Sequence, residues 1–352
     1  MRETILVTGG AGYIGSHTTL VLMLAGYDVV VLDNLCNSSV ESLHRVAAIC
    51  GRMPIILHGD IRSANQLDAV FAKYPIDAVL HFAGLKAVGE SVRKPLEYYD
   101  INVGGSVSLC QAMARAGVYR LVFSSSATVY GATSRMPLQE TSPTSLPTNP
   151  YGRTKLIVEE MLRDLAVSDP RWSIALLRYF NPIGAHKSGL IGDDPNGIPN
   201  NLLPYLTQVA VGRLEQLSVF GDDYPTRDGT GVRDYIHVMD LAEGHARTLE
   251  VLRERSGVSV WNLGTGVGHS VLEVIDAFQR ASRRTVPYRI MGRRPGDVAE
   301  CWADPSRSAL ELGWEARRGL DEMMQDAWRW QSAHPNGYAC TGEATTTATE
   351  IG

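Results

Sequence analysis

Two residues of complementary chemistry, Tyr151 and Lys155, stand four apart in Tyr151-Gly-Arg-Thr-Lys155, downstream of a serine run that ends at Ser126. On a helix, positions i and i+4 share a face. A phenol titrates near pH ~10, so it needs help to act as a base at neutral pH. A nearby ammonium favours the phenolate. Lowering the phenol by about 3 units takes roughly 4 kcal/mol of differential stabilisation. Lys155 would supply part of it, and Ser126 would bind the same substrate hydroxyl. Taken alone, such a pair reads as ordinary helix surface. Its meaning depends on what surrounds it.

The elements that must position these residues begin at the N-terminus. Ile5-Leu-Val-Thr8 runs straight into Gly9, Gly12 and Gly15, and an amphipathic run from Ser16 to Leu24 follows. That order is strand, tight turn, helix. The glycines let the backbone bend and approach a pyrophosphate, whose charge sits at the helix N-terminus. A second apolar run, Asp28-Val-Val-Val-Leu32, ends at Asp33. An acid at about that offset, ~20 residues, meets the ribose hydroxyls of NAD and repels a 2′-phosphate, so the cofactor expected is NAD rather than NADP. The positive nicotinamide ring would join Lys155 in stabilising a Tyr151 phenolate.

The chain has 352 residues, 44% hydrophobic and 20% charged, with a net charge of −5. These values are ordinary for a globular protein and give no support for nucleic-acid binding. Five scattered cysteines, Cys36, Cys50, Cys110, Cys301 and Cys340, show no Cys-x-x-Cys spacing. Neither a metal site nor a disulfide framework is expected. The first strand begins close to Met1 and no apolar run is long enough to span a bilayer, so the expected location is the cytoplasm.

Strands are expected at Thr4–Val7, Val29–Leu32, Ile55–His58, Ala78–Phe82, Leu121–Ser124 and Ser173–Arg178, with helical runs between them such as Gln66–Lys73 and Gly105–Ala116. This alternation predicts an α/β fold, a Rossmann-type doubly wound parallel sheet. Beyond Phe180, Gly- and Pro-rich loops replace the rhythm, notably Asp194–Pro199 and Asp223–Gly231. We therefore expect a cofactor domain over 1–180 that includes Ser126, Tyr151 and Lys155. A smaller α/β substrate lobe over 181–338 would return some segments to the first domain, and 339–352 would form a flexible tail.

Eight stretches in order resemble one family, the extended short-chain dehydrogenase/reductases, and within it the UDP-hexose 4-epimerases. They are Gly9-Gly-Ala-Gly-Tyr-Ile-Gly-Ser-His17, Leu32-Asp-Asn-Leu-Cys-Asn37, His81-Phe-Ala-Gly-Leu-Lys-Ala-Val-Gly-Glu-Ser91, Phe123-Ser-Ser-Ser-Ala-Thr-Val-Tyr-Gly131, Arg178-Tyr-Phe-Asn-Pro182, Pro199-Asn-Asn-Leu-Leu-Pro204, Asp228-Gly-Thr-Gly-Val-Arg-Asp-Tyr-Ile-His-Val238 and Gly292-Arg-Arg-Pro-Gly-Asp297. The resemblance extends from the first strand to about residue 330. It implies transient oxidation at the sugar C4 to a 4-keto sugar, rotation, and re-reduction, with NAD retained. The implied substrates are UDP-glucose and UDP-galactose.

By that resemblance the cofactor would meet Gly9, Gly12, Tyr13, Ile14, Gly15, Asp33, Asn34 and Asn37. It would also meet Asp60, Ile61, Phe82, Ala83, Gly84, Lys86, Ser124, Tyr151, Lys155 and Tyr179. At Ile101-Asn-Val-Gly104 the family often places an asparagine beside the cofactor; Ile101 occupies one candidate position and Asn102 the next. The substrate would meet Lys86, Ser126, Tyr151, Tyr179 and Phe180. Asn181, Asn201 and Leu202 would hold the diphospho-sugar, Arg233 and Arg294 the diphosphate, and Phe220 and Asp297 the nucleoside. Guanidinium forks suit phosphate oxygens.

The resemblance also implies a homodimer, with the helices at Gly105–Ala116 and Tyr151–Leu165 paired across a two-fold axis. Cys301 stands where some members carry a bulky Tyr, which implies room for an N-acetyl group and activity on UDP-GlcNAc and UDP-GalNAc as well. Three other readings compete: another nucleotide-sugar 4-epimerase, a 4,6-dehydratase, and a non-catalytic NAD-binding protein. A dehydratase needs an acid and a base just after the serine; Ala127 and Thr128 stand there.

Overall fold

The computed structural model describes residues 2–132, 135–144, 147–294 and 296–339, and the backbone of Thr349–Glu350. Its strands are β1 Thr4–Thr8, β2 Asp28–Asp33, β3 Ile55–His58, β4 Ile76–His81, β5 Arg120–Ser126, β6 Ser173–Tyr179, β7 Asn181–Ile183, β8 Leu217–Phe220, β9 Val232–His237, β10 Gly257–Leu263, β11 Gly268–Ser270, β12 Tyr288–Met291, β13 Glu300–Cys301 and β14 Thr349–Glu350. The helices are α1 Tyr13–Leu24, α2 Glu41–Cys50, α3 Ala64–Lys73, α4 Val88–Arg93, α5 Pro95–Tyr98, α6 Gly105–Ala116, α7 Pro150–Ser168, α8 Leu202–Ala210, α9 Val238–Val251, α10 Val271–Ser282, α11 Ser306–Leu312 and α12 Leu320–Ala333.

Strands β10-β6-β5-β4-β1-β2-β3-β14 form one parallel sheet in that order. The strands read as continuous apolar runs because both faces are covered. Alternate residues serve opposite layers. Ile5, Val7, Val29, Val31 and Leu80 pack on one face, with Leu20, Leu22 and Leu249 of the helices there. Leu6, Val30, Leu32 and Val79 pack on the other, with Leu67, Leu109 and Leu162. This is the doubly wound α/β fold. All six expected strands are in the sheet. The tract expected to be a flexible tail, 339–352, lies outside the described residues except for Ala339 and for Thr349–Glu350, whose backbone pairs with β3.

The chain moves outward from β1 to β3, then returns to β4 on the other side of β1. At this reversal the carboxyl ends of β1 and β4 splay their loops apart and leave a crevice. The turn after β1 carries the glycines, and the turn after β4 carries Phe82-Ala83-Gly84. Elements from late in the chain return to this first layer: β10 pairs with β6, β14 with β3, and α9 packs on α1.

The remaining elements form a smaller lobe at the same end. β7, β9, β11 and β13 make a four-stranded sheet, and β8 pairs with β12. Its core joins Leu206, Val219, Tyr235, Phe278 and Met324. A Ser270–Glu273 capping box fixes the start of α10, satisfying two orphan helix-end donors. Among the described residues, no helix is long and apolar enough to cross a membrane.

Candidate active site

The phosphate cradle forms at the start of α1. Gly12 caps this helix without a side-chain hydrogen bond, and the first turn carries no acid. Its uncapped N–H groups therefore face the crevice, a ready site for a pyrophosphate. The backbones pass too closely for side chains. A Cβ on Gly9, which has φ +72°, would lie 2.6 Å from Ala83 N, and one on Gly15 would lie 2.3 Å from the Gly9 carbonyl oxygen.

At the far end of the crevice, Asp33 is buried and accepts from Ala11 N, Leu35 N and Ser38 Oγ, each at 2.9 Å. Burial pushes its carboxyl up, and those hydrogen bonds oppose the rise. Asn34 donates to Asp60 at 3.0 Å. Arg62, bonded to both oxygens of Asp60, holds that carboxyl down at about 2. The residues fit a dinucleotide: a cradle that excludes Cβ atoms, and a buried carboxyl group at the ribose end.

The crevice gathers Gly9, Gly12, Ile14, Gly15, Asp33, Asn34, Asn37, Asp60, Ile61, Phe82, Ala83, Gly84, Lys86, Tyr151, Lys155 and Tyr179. Leu32, Cys36, Ser38, Gly59 and Leu85 also line it and were not expected from the sequence, and of the two candidate positions Ile101 and Asn102 it is Ile101 that lines it. Tyr13, Ser124 and Asn102 do not line it. The Tyr13 hydroxyl donates to the Gly184 carbonyl at 2.7 Å, tying α1 to the second lobe. Asn102 lies in a single π-helical segment, Tyr99–Gly104. The wider turn rotates Asn102 inward. There its side chain bonds both Leu85 backbone groups and Thr154 Oγ1, and Ile101 faces the crevice instead.

The proton-transfer group forms where α7 crosses the end of β5. Asn149 caps α7 by accepting from Gly152 N at 2.9 Å, and Pro150 occupies the first turn. This fixes Tyr151 at the helix start. Burial pushes the Tyr151 phenol up to about 12, and a hydrogen bond with Ser126 opposes the shift. Lys155 is buried, and burial brings its ammonium down to about 8, with Glu159 opposing. Its Nζ donates to the Ser124 carbonyl at 2.8 Å. Ser124 Oγ donates in turn to the Tyr179 hydroxyl at 2.8 Å. Ser126, Tyr151, Lys155 and Tyr179 thus share one corner of the crevice.

A second pocket opens in the smaller lobe. It is lined by Asn181, Asn201, Leu202, Phe220, Arg233, Arg294 and Asp297, with Tyr205, Tyr224 and Tyr235 beside them. The Arg294 guanidinium lies 3.9 Å from the Phe220 ring centroid. Arg233 Nη1 donates to the Val232 carbonyl at 2.8 Å, which steadies the fork. Neither arginine has a carboxylate partner among the described residues. Its neighbour Arg293, by contrast, is spent on Asp223 at 2.7 Å. Unneutralised guanidinium groups in a pocket suit a diphosphate. Tyr179-Phe180-Asn181 joins the two pockets, and Lys86 Nζ lies 3.7 Å from Asp193 Oδ1.

Phe180 and Cys301 meet Ala127 and Tyr130 in a small apolar cluster next to Ser126. Ala127 and Thr128 carry no titratable group. The corner can move one proton at one hydroxyl but offers no acid–base pair there for expelling water. Among the described residues, no group of three or more His, Cys, Asp or Glu side chains could hold a metal ion.

Residues 6–327 match the family profile described as GDP-mannose 4,6 dehydratase. The UDP-glucose 4-epimerase of Bacillus subtilis is 61% identical over 334 residues, covering 95% of this chain and 98% of that protein. The crystal structure of UDP-glucose 4-epimerase from Bifidobacterium longum in complex with NAD+ and UDP superposes with a TM-score of 0.93 at 53% identity, covering 95% of this chain and 99% of that one. That of Stenotrophomonas maltophila, with bound NAD and formylated UDP-arabinopyranose, gives 0.92 at 52% identity, with coverage of 95% and 99%.

Proposed function

The chain belongs to the UDP-glucose 4-epimerases, and from that membership we propose that it interconverts UDP-glucose and UDP-galactose at C4 with NAD as a retained cofactor. One observation carries the reading. The hydrogen-bonded Ser126–Tyr151 pair shares a corner with Lys155, beside a pocket whose two arginines have no carboxylate partner among the described residues. When bound, NAD supplies the acceptor and then the donor of hydride at the sugar C4. Tyr151 takes the C4 hydroxyl proton, and Ser126 orients that oxygen. Arg233 and Arg294 anchor the diphosphate while the sugar turns about its bond to it. Tyr151 then returns the proton on the opposite face. The two pockets suit this sequence because the nucleotide can stay fixed while only the sugar moves. Incubating the purified protein with UDP-galactose, without added NAD, should yield UDP-glucose. Bound NAD with no change at C4 would instead support a non-catalytic NAD-binding protein.

The reading extends to the N-acetylated pair through Cys301. Its strand lies against β9 with Cys301 opposite Arg233, and the side chain packs near Phe180. A thiol there leaves the space that a phenol ring would fill in a packed site. The wild-type enzyme should interconvert UDP-GlcNAc and UDP-GalNAc, and Cys301→Tyr should remove that activity while largely sparing the plain hexoses. Burial pushes the Cys301 thiol up to about 11, so its contribution is size rather than reactivity. Wild-type enzyme inert toward both N-acetylated substrates would defeat this extension.

Assembly and location complete the proposal. Exposed apolar side chains lie on α7 and on the short helices α4 and α5 packed against it: Val92 is 62% exposed, Leu96 82% and Ile157 37%. Apolar surface of this kind marks association sites, and a homodimer through α6 and α7 would cover it. Sedimentation at micromolar concentration should give twice the chain mass, and a monomer there would exclude the dimer. The cytoplasm is the location this activity and the scattered free cysteines favour.

A further inference from the structure

α7 carries a third polar side chain one turn beyond Lys155. Glu159 is 1% exposed, and its partner Arg178 is 2% exposed. Glu159 Oε1 accepts from Ser125 Oγ at 2.5 Å and from Arg178 Nε at 3.0 Å, and Oε2 accepts from Arg178 Nη2 at 2.6 Å. The neighbours of this pair in sequence are the reacting residues. Ser125 precedes Ser126, Arg178 precedes Tyr179, and the sheet register sets Ser125 opposite Arg178 and Ser126 opposite Tyr179.

A buried ion pair is a poor way to gain stability, because desolvation can exceed the Coulombic gain, and apolar residues of similar volume often serve as well. What apolar residues cannot do is set the local potential. Lys155 stands one turn from Glu159, yet its ammonium donates to the Ser124 carbonyl and lies 4.8 Å from the Phe123 ring centroid. Lys155 forms no ion pair with Glu159, whose oxygens are held by Arg178 and Ser125.

We propose that the Glu159–Arg178 pair is the positioning element of the proton-transfer corner: Glu159 ties the strand end bearing Ser126 to α7, and Arg178 neutralises that carboxylate so the Lys155 charge acts on Tyr151. The pair touches neither substrate nor cofactor and acts through Lys155 and Ser126. The inference rests on the reading of Tyr151 as the base. Other groups face this corner from neighbouring elements: His81 on β4, Tyr98 on α5 with Glu90 on α4, and Tyr179 on β6. Arg163 on α7 lies 3.7 Å from Glu159, and Tyr130 and Glu140 lie behind Arg178. All of these stay in place in the variants below.

The sign of the effect is distinctive. Glu159→Gln removes a negative charge and leaves Arg178, so the phenolate gains and the Tyr151 pKa falls, as does that of Lys155, which loses the carboxylate's support. Arg178→Met leaves a carboxylate that competes for Lys155, so the Tyr151 pKa rises. The readout is phenolate absorbance of the NAD-loaded enzyme across pH, as the difference from Tyr151→Phe, with no sugar present. We expect opposite shifts of about one unit in the two single variants, and near-cancellation in the double variant. A purely structural role would misalign Ser126 and Tyr151 in both and move them the same way. Shifts of the same sign, or none, overturn the proposal. Should Arg178→Met fail to fold, Glu159→Gln decides alone, and an unchanged or raised Tyr151 pKa overturns it. Because the titration needs no turnover, it fails independently of the UDP-galactose assay.

Discussion

Tyr151→Phe should lower C4 epimerisation by about 10²–10⁴-fold while leaving NAD bound, the range typical for loss of a general acid–base group. The expectation follows from where the hydroxyl sits. Tyr151 is 7% exposed, and its ring is held by the capped start of α7. Phenylalanine fills the same space, so the fold and the cofactor crevice should survive. Only the proton carrier and its bond to Ser126 are lost. The phenol itself is unfavourably placed for ionisation, pushed up to about 12 by burial even with the Ser126 hydrogen bond opposing. A Tyr151 that ionises at neutral pH must draw on Lys155 and on the positive ring of bound NAD. A measured rate within about threefold of wild type, well short of the range expected for an acid–base group, would remove Tyr151 from the mechanism. Absorbance of the purified variant would show whether NAD remains.

The parts of the molecule legible in the sequence are those built from near neighbours. β1, the glycine turn, α1 and β2 with Asp33 lie in one unbroken βαβ unit, so spacing alone orders them. Tyr151 and Lys155 share a helix. The carboxyl-end rule then brings Ser126 to them without any knowledge of side-chain contacts. What stayed hidden arises between distant segments. Gly257–Leu263 reads like any short apolar run, and nothing local says that it crosses back to pair with Ser173–Tyr179. The π-helical turn at Tyr99–Gly104 is set by packing against α5 and α7, and it decides whether Ile101 or Asn102 faces the crevice. In sequence Glu159 sits in a helical run and Arg178 at a strand end, with nothing local to link them; only the fold buries both and joins them. The arginine pocket was reached through family resemblance, since its residues come from Gly- and Pro-rich loops with no periodicity to read.

Gly15→Ala should cost the protein its cofactor, and the reason is steric rather than conformational. Gly15 lies within α1, with no left-handed backbone angle to defend. Its added methyl group would sit 2.3 Å from the Gly9 carbonyl oxygen and 2.7 Å from Gly10 Cα. Both are backbone atoms of the turn itself, so no side chain can swing aside. The helix must back away from the turn, and that moves the N–H groups that cradle the pyrophosphate. Overpacking of this kind costs typically ~1–3 kcal/mol in stability. The larger consequence is for binding, because a helix N-terminus serves an anion only when its donors point at it. Gly89 in α4 is the control: a Cβ there meets nothing within 4 Å. Gly89→Ala should melt no lower than wild type and retain NAD. Gly15→Ala should purify without NAD, melt lower, and show activity only with excess NAD, if at all. A Gly15→Ala protein that melts with the wild type and carries a full complement of NAD would show that the turn does not depend on this contact, and the cradle would then have to be sought elsewhere in the crevice.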